Sequence, residues 1–378
     1  GPVAMSVLDA YPDVDVVVKS EGEVPFAGVV DALSRGASLR GVPGICCRDN
    51  GEIVENDDAP LVQDVNTLPS PHLPPHDEGL DYQSRIACVE TQRGCVFKCN
   101  FCFYNKDLSV RNRRFDLDRV KAELARWLER DVYEIYLMDP VFNLYADRAK
   151  DICRFIAAHN TRKVKIHTEV WAEFIDDEMA RLMRDAHFAF VEVGLQTTDV
   201  TALATVERRL KLEKFNNGVA SLKKYGIPFE LQLIYGLPGE TPASFRQSLD
   251  FAVSLDPPVL AVFPLMVLPG TELWRKADGM GLEFEPTPPY FVKSHYTMSR
   301  ADIARGWDIV GALKAFGESK ALRLLGRERG VRFSEIVDAW IEWEPKDMPA
   351  FLSRFCRERN IPEAFYQAFA ARELTAPS

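Results

Sequence analysis

Short apolar runs alternate with amphipathic segments along most of the chain. Between residues 86 and 267, six runs rich in Val, Ile, Leu and Phe alternate with five segments whose apolar positions recur every three to four residues. Runs of the first kind are typical of buried strands, and segments of the second kind are typical of helices. The pattern predicts strands over 86–90, 134–138, 164–169, 190–194, 229–235 and 259–267. It predicts helices over 116–129, 146–159, 176–186, 212–225 and 241–255.

This alternation predicts an α/β fold built on a parallel sheet, because a strand that follows a helix returns beside its predecessor through a right-handed crossover. Six such units form a curved, partly open (β/α)6 barrel, since eight are needed to close a full one. In sheets of this kind the chemistry lies at the carboxyl ends of the strands. We therefore expect the functional residues at that edge.

The segments on either side of the barrel region follow other patterns. The β-branched run over 15–19 predicts a buried parallel strand, and a helix and a second strand near 44–48 follow it, as at the end of a Rossmann-like domain. Five prolines between 57 and 77 predict an extended segment without regular structure. Beyond 283, helices are predicted over 300–316, 332–343 and 349–357, with Trp307, Trp340 and Trp343 in their core. The predicted parts are a Rossmann-like N-terminal fragment (1–56), a linker (57–82), the barrel (83–283) and a C-terminal helical domain (284–378).

Composition limits the class of protein. The 378 residues, 47% of them hydrophobic, suffice for one large core or two smaller ones. The net charge is −10, and the one basic cluster is Arg111, Arg113 and Arg114, which argues against a nucleic-acid partner. No apolar run approaches the roughly 20 residues that span a bilayer, and the first residues show no secretory signal. We expect a globular cytoplasmic protein with no membrane partner.

Three of the eight cysteines lie within eight residues, directly after the first predicted barrel strand. Cys95, Cys99 and Cys102 form the spacing CxxxCxxC in the text RGCVFKCNFCFY. A structural zinc site normally takes four protein ligands, whereas three cysteines can hold an iron-sulfur cluster and leave one iron open. His72 and His76 are candidates to complete a zinc site, and an iron-sulfur protein without catalytic activity is a further alternative.

The other five cysteines are too few and too scattered for a disulfide scaffold. They stand in apolar or helical surroundings, which predicts plain buried thiols at Cys46, Cys47, Cys88, Cys153 and Cys356.

The cysteine loop resembles the signature of the radical SAM superfamily, with aromatic residues around the last cysteine. The resemblance extends over about 85–274. It implies that Cys95, Cys99 and Cys102 hold a [4Fe-4S] cluster, whose open iron binds S-adenosylmethionine (SAM). It also implies an external electron donor of the flavodoxin or ferredoxin type. In this family an electron from the cluster usually cleaves SAM to a 5′-deoxyadenosyl radical.

The same resemblance implies SAM contacts beside the cysteines and at the ends of the later strands. Asp139, in the turn MDPVFN, matches a position that accepts a hydrogen bond from the SAM amino group, with a capping aspartate as the alternative reading. Glu169 ends the third strand, and the segments GLQT, GLPGET and LPGT match the ends of the next three. The implied SAM-binding residues are Phe101, Tyr104, Asp139, Glu169, Gln196, Thr197, Tyr235, Gly236 and Leu268.

The text YPDVDVVVKSEGE over 11–23 resembles the end of a cobalamin-binding domain that precedes the radical SAM core in one subfamily. Gly1-Pro2 fits a turn of the same domain, although its earlier strands and a DxHxxG motif are absent from the sequence. The resemblance implies a cobalamin-dependent methyltransferase acting on an unactivated carbon of a small molecule or peptide precursor, as in tryptophan C-methylation. A rearrangement or cyclisation without methyl transfer is the alternative. The residues name neither the substrate nor a catalytic acid or base.

Overall fold

The computed structural model describes residues 2–77, 85–105, 112–316, 330–344 and 346–362. The strands are β1 (Val16–Val18), β2 (Ile45–Asp49), β3 (Glu52–Glu55), β4 (Ile86–Val89), β5 (Gln92–Arg93), β6 (Arg113–Arg114), β7 (Glu134–Leu137), β8 (Lys165–Val170), β9 (Phe188–Gln196), β10 (Phe229–Tyr235), β11 (Val259–Pro264), β12 (Glu283–Phe284) and β13 (Val292–Ser294).

The helices follow the same numbering along the chain. They are α1 (Pro2–Ala10), α2 (Glu23–Ser34), α3 (Leu117–Leu128), α4 (Ala146–His159), α5 (Asp177–Asp185), α6 (Val200–Thr205), α7 (Leu212–Lys224), α8 (Pro242–Ser254), α9 (Glu272–Lys276), α10 (Arg300–Phe316), α11 (Phe333–Ile341) and α12 (Met348–Glu358). Short 3-10 turns occupy Val65–Thr67, Phe103–Asn105, Phe142–Leu144, Ala172–Phe174 and Asp278–Met280.

Six strands form one sheet in the order β11-β10-β9-β8-β7-β4, and every pair in it is parallel. The predicted α/β class with a partial barrel is therefore confirmed. The six predicted strands and five predicted helices are all present, with bounds that differ from the predictions by at most three residues.

The two faces of this sheet have different chemistry. Successive side chains of a strand point to opposite faces, and the outer face carries buried apolar residues such as Ile135, Ile166 and Leu231, which pack under the helices. The inner face carries partly exposed polar residues, among them His167 and Glu192. The main hydrophobic core thus lies outside the barrel wall, and the inside of the wall is polar.

Helix caps explain where several barrel helices begin. Asp176 accepts a hydrogen bond from the backbone of Met179 at 2.6 Å before α5, and Thr241 accepts one from Ser244 at 3.1 Å before α8. Both contacts satisfy backbone donors that have no partner inside the helix. Asp116 precedes α3, as predicted, but its side chain makes no capping hydrogen bond.

The N-terminal fragment (1–56) differs from the prediction in pairing. β1 pairs antiparallel with β2, which pairs antiparallel with β3, and β1 is only half buried. The prediction of a buried parallel strand is wrong, because the partner of β1 is the strand that returns directly after α2. Gly1 of the expected turn lies outside the described residues, and α1 begins at Pro2.

The proline-rich segment packs against the barrel. Apart from the 3-10 turn at Val65–Thr67 its described part, 57–77, has no regular structure, as predicted. Val65 is buried, and the buried carboxylate of Asp77 pairs with Arg126 at 2.9 Å and Arg130 at 2.7 Å. The end of the predicted linker, 78–82, and Arg111 of the predicted basic cluster lie outside the described residues.

The helices α10, α11 and α12 confirm the predicted helical segments beyond the barrel, and residues 363–378 lie outside the described part. Trp340 is buried, as expected, and Trp343 packs partly against the core. Trp307 is 43% exposed, so its prediction as a core residue is wrong. Its ring meets that of Phe291 edge to face, with 4.7 Å between the ring centroids, and the rest of the indole faces water.

No helix in the described ranges is long and apolar enough to cross a bilayer.

Replacing glycine by alanine is expected to have opposite effects on stability at two helical positions. Alanine normally stabilises a helix by about 1 kcal/mol relative to glycine, because it restricts the unfolded chain. At Gly218 the added Cβ would lie 1.9 Å from the carbonyl oxygen of Ala172, so we expect Gly218→Ala to destabilise the fold by about 1–3 kcal/mol. At Gly311 no atom lies within 4 Å, and Gly311→Ala should raise stability.

Urea denaturation of the two variants and the parent chain measures both effects. An unfolding midpoint for Gly218→Ala at or above that of the parent chain would contradict the close packing of α7 on the turn at Ala172–Phe174.

Candidate functional site

The three clustered cysteines line one cavity at the carboxyl edge of the sheet. The other walls come from the ends of β8, β9 and β10 and from the turn after β7. The lining residues are Cys95, Phe97, Cys99, Phe101, Cys102, Tyr104, Pro140, Val141, Glu169, Val170, Trp171, Glu192, Gly194, Gln196, Arg208 and Gln232. Of the predicted site residues, this cavity brings together the three cysteines, Phe101, Tyr104, Glu169 and Gln196.

The cysteine loop is held by its backbone. Gly94 has φ +90°, a conformation that glycine adopts without strain, and it turns the chain from β5 into the loop. Asn100 donates from its backbone to Val206 at 3.1 Å and from its amide to Thr205 at 2.8 Å, while its carbonyl accepts from Leu273 at 2.9 Å. The loop is therefore tied to the ends of two later barrel segments.

The thiols sit in surroundings that oppose ionisation. Burial raises the pKa of Cys95, and it raises the pKa of Cys102 to about 11. Thiolates form in such surroundings when a metal replaces the proton. Three cysteine sulfurs that line one cavity are a donor set that fits a metal centre bound through sulfur.

The described residues form no arrangement for a single metal ion. Among the described residues, no three His, Cys, Asp or Glu side chains converge closely enough to hold one metal ion. A polynuclear centre spaces its ligands more widely than the tetrahedron around zinc. His72 is not among the residues that line the cavity, and its ring packs on Trp127 at 5.6 Å. The zinc alternative gains no support from this arrangement.

Glu169, at the end of β8, is the carboxyl group that faces the cysteines. Burial, followed by the negative charge of Glu192, raises its pKa to about 7. Tyr136 lies within hydrogen-bond reach, with 3.5 Å between its hydroxyl and the Glu169 carboxyl. Near neutral pH this group can both accept and donate a proton.

An ion-paired histidine lies below Glu169 on the inner face. The ring of His167 contacts Glu192 at 3.0 Å through Nε2 and Glu134 at 3.3 Å through Nδ1. The hydrogen bond with Glu192 raises the pKa of His167 and lowers the pKa of Glu192. Gln232 donates to the other oxygen of Glu192 at 2.8 Å. Neighbouring strands thus share one charged network on the cavity floor.

Arg208 is a cavity residue that the sequence analysis missed. Its guanidinium donates to the carbonyl of Gly194 at 2.6 Å, lies 3.8 Å from the sulfur of Cys99 and covers the ring of Trp171 at 4.2 Å. It follows α6, a short helix that the hydrophobic pattern did not predict. No periodicity or motif marked it, so only the folded chain brings this cation to the cysteines.

Gln196 lines the cavity and has an unusual backbone conformation. It has φ +68°, which is rare for a residue with a side chain, and its buried Oε1 has no hydrogen-bond partner within the described structure. A buried acceptor of this kind is costly unless a ligand or water satisfies it. Gln196 is therefore a natural contact for a bound polar molecule.

Asp139 does not line the cavity. Its buried carboxylate accepts hydrogen bonds from the backbone of Thr91 at 2.8 Å and of Gln92 at 3.0 Å, and a third from the Thr91 hydroxyl. Burial raises its pKa to about 7. Both oxygens thus hold the chain that leads into the cysteine loop. This is close to the alternative of a capping aspartate, since two of the three donors are backbone N–H groups, and the contact with SAM stays a prediction.

Four other predicted residues also lie away from the cavity. Thr197 points to the outer side, where its hydroxyl donates to Glu240 at 2.6 Å. Tyr235 donates to the carbonyl of Asp302 at 2.7 Å under α10, and Gly236 is covered by Val292 and Ile303. The carbonyl of Leu268 caps the turn at Thr271. The alternation of side-chain direction along a strand explains why these residues lie away from the cavity, since successive residues face opposite sides of the sheet.

The five remaining cysteines follow the prediction with one exception. Cys46, Cys47, Cys153 and Cys356 are buried, whereas Cys88 is exposed on the inner face of β4. The prediction of a buried thiol at Cys88 is wrong, because the inner face of the barrel is open.

A second cavity of about 660 Å³ lies between the N-terminal fragment and the barrel. Val18, Gly22 and Phe26 form one wall, and Tyr104 and Pro140, which also line the cysteine cavity, form part of the other. The two cavities are therefore neighbours that share a wall.

A comparison with known families matches residues 89–252 to the Radical SAM superfamily. Among curated proteins, an uncharacterised methyltransferase, PH0819, of Pyrococcus horikoshii is 29% identical over 274 residues, which are 70% of this chain and 58% of that protein. The cobalamin-dependent radical SAM methyltransferase TokK of Streptomyces tokunonensis is 26% identical over 303 residues, 75% of this chain and 44% of TokK. The chain spans about half the length of the curated relatives it matches.

Solved structures show the same fold. The radical SAM methyltransferase TsrM of Kitasatospora setae, with tryptophan and a SAM analogue bound, superposes with a TM-score of 0.61 at 20% identity, over 76% of this chain and 59% of TsrM. The cobalamin-dependent SAM radical enzyme OxsB superposes with a TM-score of 0.58 at 16% identity, over 94% of this chain and 61% of OxsB.

The anchoring role of Asp139 predicts the outcome of its removal. Asp139→Ala leaves three donors of the entrance to the cysteine loop without their acceptor, and each lost buried hydrogen bond costs about 1–3 kcal/mol. We expect a lower urea midpoint and less iron per chain after anaerobic reconstitution with iron and sulfide. The matched control is Asp147→Ala, an exposed position in the first turn of α4. Full iron content in Asp139→Ala together with weaker SAM binding would instead favour a direct contact with SAM.

Proposed function

We propose that the chain is a radical SAM protein, which holds a [4Fe-4S] cluster on Cys95, Cys99 and Cys102 and binds SAM in the adjoining cavity. The observation that carries the proposal is that three cysteines of one loop line the same cavity. Three cysteine ligands would leave one iron of such a cluster open to SAM.

The polar residues of the cavity match the groups of SAM in charge and hydrogen bonding. Arg208 offers a guanidinium to a carboxylate, the contact that this side chain makes best. Glu169 offers a carboxyl group to an amine or a hydroxyl, and Gln196 offers its unpartnered oxygen to a donor. The rings of Phe97 and Trp171 stack with 3.8 Å between their centroids, and with Phe101 they form an apolar part of the cavity wall.

We further propose cobalamin as a second cofactor and methyl transfer as the reaction. The second cavity supports this proposal, because it opens beside the cysteine cavity and has apolar walls from Val18, Phe26 and Met138. The similarity to TokK and PH0819, both named as methyltransferases, points the same way. When bound, the cluster, SAM and cobalamin would supply the radical and methyl-transfer chemistry, and this chain's residues would hold and orient them.

The substrate proposed is a small molecule or a peptide precursor that carries an unactivated carbon, and a flavodoxin-like or ferredoxin-like protein would supply electrons. Radical chemistry without methyl transfer is the competing function. The two differ in what becomes of SAM. Methyl transfer to an unactivated carbon leaves S-adenosylhomocysteine from the SAM that donates the methyl group, besides 5′-deoxyadenosine and methionine from the SAM that forms the radical. A reaction that uses SAM only as a radical source leaves 5′-deoxyadenosine and methionine alone.

The experiment that tests the function pairs two cysteine variants. After anaerobic reconstitution, the parent chain should hold about four irons and show an electron paramagnetic resonance signal that changes when SAM is added. With cobalamin and a chemical reductant, it should form S-adenosylhomocysteine. Cys99→Ser should lose the cluster and the product, while Cys88→Ser, outside the loop, should keep both. A signal insensitive to SAM, or one air-stable zinc per chain, would exclude the proposal, and 5′-deoxyadenosine alone would favour the competing function.

The cobalamin proposal predicts the effect of filling the second cavity. Gly22 borders that cavity, and a Cβ added to it would have no neighbour closer than 4.0 Å. We expect Gly22→Trp to lower the amount of cobalamin retained through gel filtration at least about tenfold, the equivalent of about 1.4 kcal/mol, without loss of iron. Gly279→Trp, at an exposed turn with no atom within 4 Å, is the control. Equal retention of the corrin absorbance in both variants would place cobalamin elsewhere or exclude it.

A further inference from the structure

A buried carboxylate connects the N-terminal fragment to the base of the cysteine loop. Glu21 lies between β1 and α2, and its side chain is 5% exposed. It accepts a hydrogen bond from the backbone of Val62 at 2.8 Å and pairs with two guanidinium groups, Arg113 at 2.7 Å and Arg93 at 3.2 Å. Burial alone would raise the pKa of Glu21, but the hydrogen bonds, that from Arg113 first, lower it overall.

The two arginines belong to the strands that bracket the cysteine loop. β5 ends at Arg93, two residues before Cys95, and β6 begins at Arg113. The strands pair antiparallel, with Arg93 directly opposite Arg113. Asn112 adds a hydrogen bond to the carbonyl of Gly94 at 2.8 Å. This two-stranded ribbon is the base from which the cysteine loop projects.

Two like charges directly opposite each other destabilise a strand pair. Arg93 also pairs with Glu90 and Glu23, each at 2.8 Å, whereas the side chain of Arg113 has Glu21 as its carboxylate partner among the described contacts. Glu21 therefore neutralises the pair from the opposite side of the interface. The pairing of the ribbon depends on a residue that the N-terminal fragment supplies.

The same carboxylate lies where the two cavities meet. Glu21, Glu90 and Arg93 line the second cavity, and Tyr104, on the far side of the cysteine loop, lines both. A shift of the ribbon would move the cysteines relative to the wall formed by Val18 and Phe26. The distance between the two proposed cofactors would change with it.

We propose that Glu21 is a positioning residue, which fixes the ribbon of Arg93 and Arg113 and thereby holds the cysteine loop in register with the N-terminal fragment. This inference rests on the proposed function. It adds that the N-terminal fragment supports the cluster site directly, besides forming a wall of the second cavity. The contact is directional, because planar guanidinium groups bind one buried carboxylate. It therefore fixes the orientation of the ribbon relative to the N-terminal fragment, which apolar packing would leave loose.

The first test uses the metal-free chain and amide hydrogen exchange read by mass spectrometry. Glu21→Gln removes the charge and keeps the shape. We expect exchange in the peptide covering 90–103 to rise about tenfold or more, because local opening of the loop becomes easier. The control is Lys19→Met, two residues from Glu21, which removes ion pairs with Glu55 and Asp58 and none with the arginines of the ribbon. It should speed exchange within 1–56 and leave 90–103 unchanged.

Breaking a buried ion pair often destabilises a whole protein, so a second variant separates folding from positioning. The double variant Glu21→Met with Arg113→Met replaces the buried charges by apolar groups of similar length, a change that is often neutral for stability. We expect a parent-like urea midpoint, yet faster exchange over 90–103 and a smaller spectroscopic change when SAM is added to the reconstituted cluster. Glu21→Asp keeps the charge. Its exchange over 90–103 and its spectroscopic change with SAM should therefore be closer to those of the parent chain.

Unchanged exchange over 90–103 in Glu21→Gln and in the double variant would overturn the inference, whatever happens within 1–56. So would equal effects of Lys19→Met and Glu21→Gln on the loop, because the effect would then be general loosening. If the parent chain binds no cluster, the proposed function fails, while the exchange experiment on the metal-free chain still reports on Glu21.

Discussion

Main-chain hydrogen bonds between parallel strands determine where the chemistry can lie. Val89 pairs beside Leu137, Leu137 beside Thr168, and Val170 beside Val193, so the carboxyl ends of the strands stand level at one edge. The position of each strand end fixes where the loop that follows it begins. The cysteine loop leaves shortly after β4, and Glu169, Gln196 and Arg208 lie at or beyond the ends of later strands. The backbone thus gathers residues that are far apart in sequence.

Burial then decides which of these groups are charged. A charge taken out of water is costly unless a partner compensates it, and most of the buried charges here have one. Glu192 has His167, Glu21 has Arg113 and Arg93, and Arg208 has the Gly194 carbonyl and the Trp171 ring. Glu169 forms no ion pair among the described contacts, and its pKa rises to about 7. A cationic group placed beside it would lower that pKa, so the cavity favours a ligand that carries positive charge at this point.

Local patterns predicted the barrel because each strand and helix has its own hydrophobic period. They did not show which residues at the strand ends face the cavity, because neighbouring positions there face opposite sides of the sheet. In β10 the polar residues Glu230 and Gln232 mark the inner face, so the same alternation indicates that Tyr235 faces outwards. The sequence therefore held a signal for Tyr235, and for Cys88 on β4 as well. It held none for Arg208, whose position depends on the unpredicted helix α6, or for the hydrogen bonds that occupy Asp139.

The incomplete closure of the barrel accounts for its polar interior. A closed eight-stranded barrel fills its centre with layers of branched apolar side chains. Here the described sheet ends at β4 and β11, which are not paired with each other, and its inner face carries Glu134, His167 and Glu192. The hydrogen bond between His167 and Glu192 raises the pKa of the first and lowers the pKa of the second, so it favours the charged form of both. An apolar filling would occupy the space beside the cysteines, whereas the polar inner wall, with Glu192 and Gln232, borders the cavity that the cysteines line.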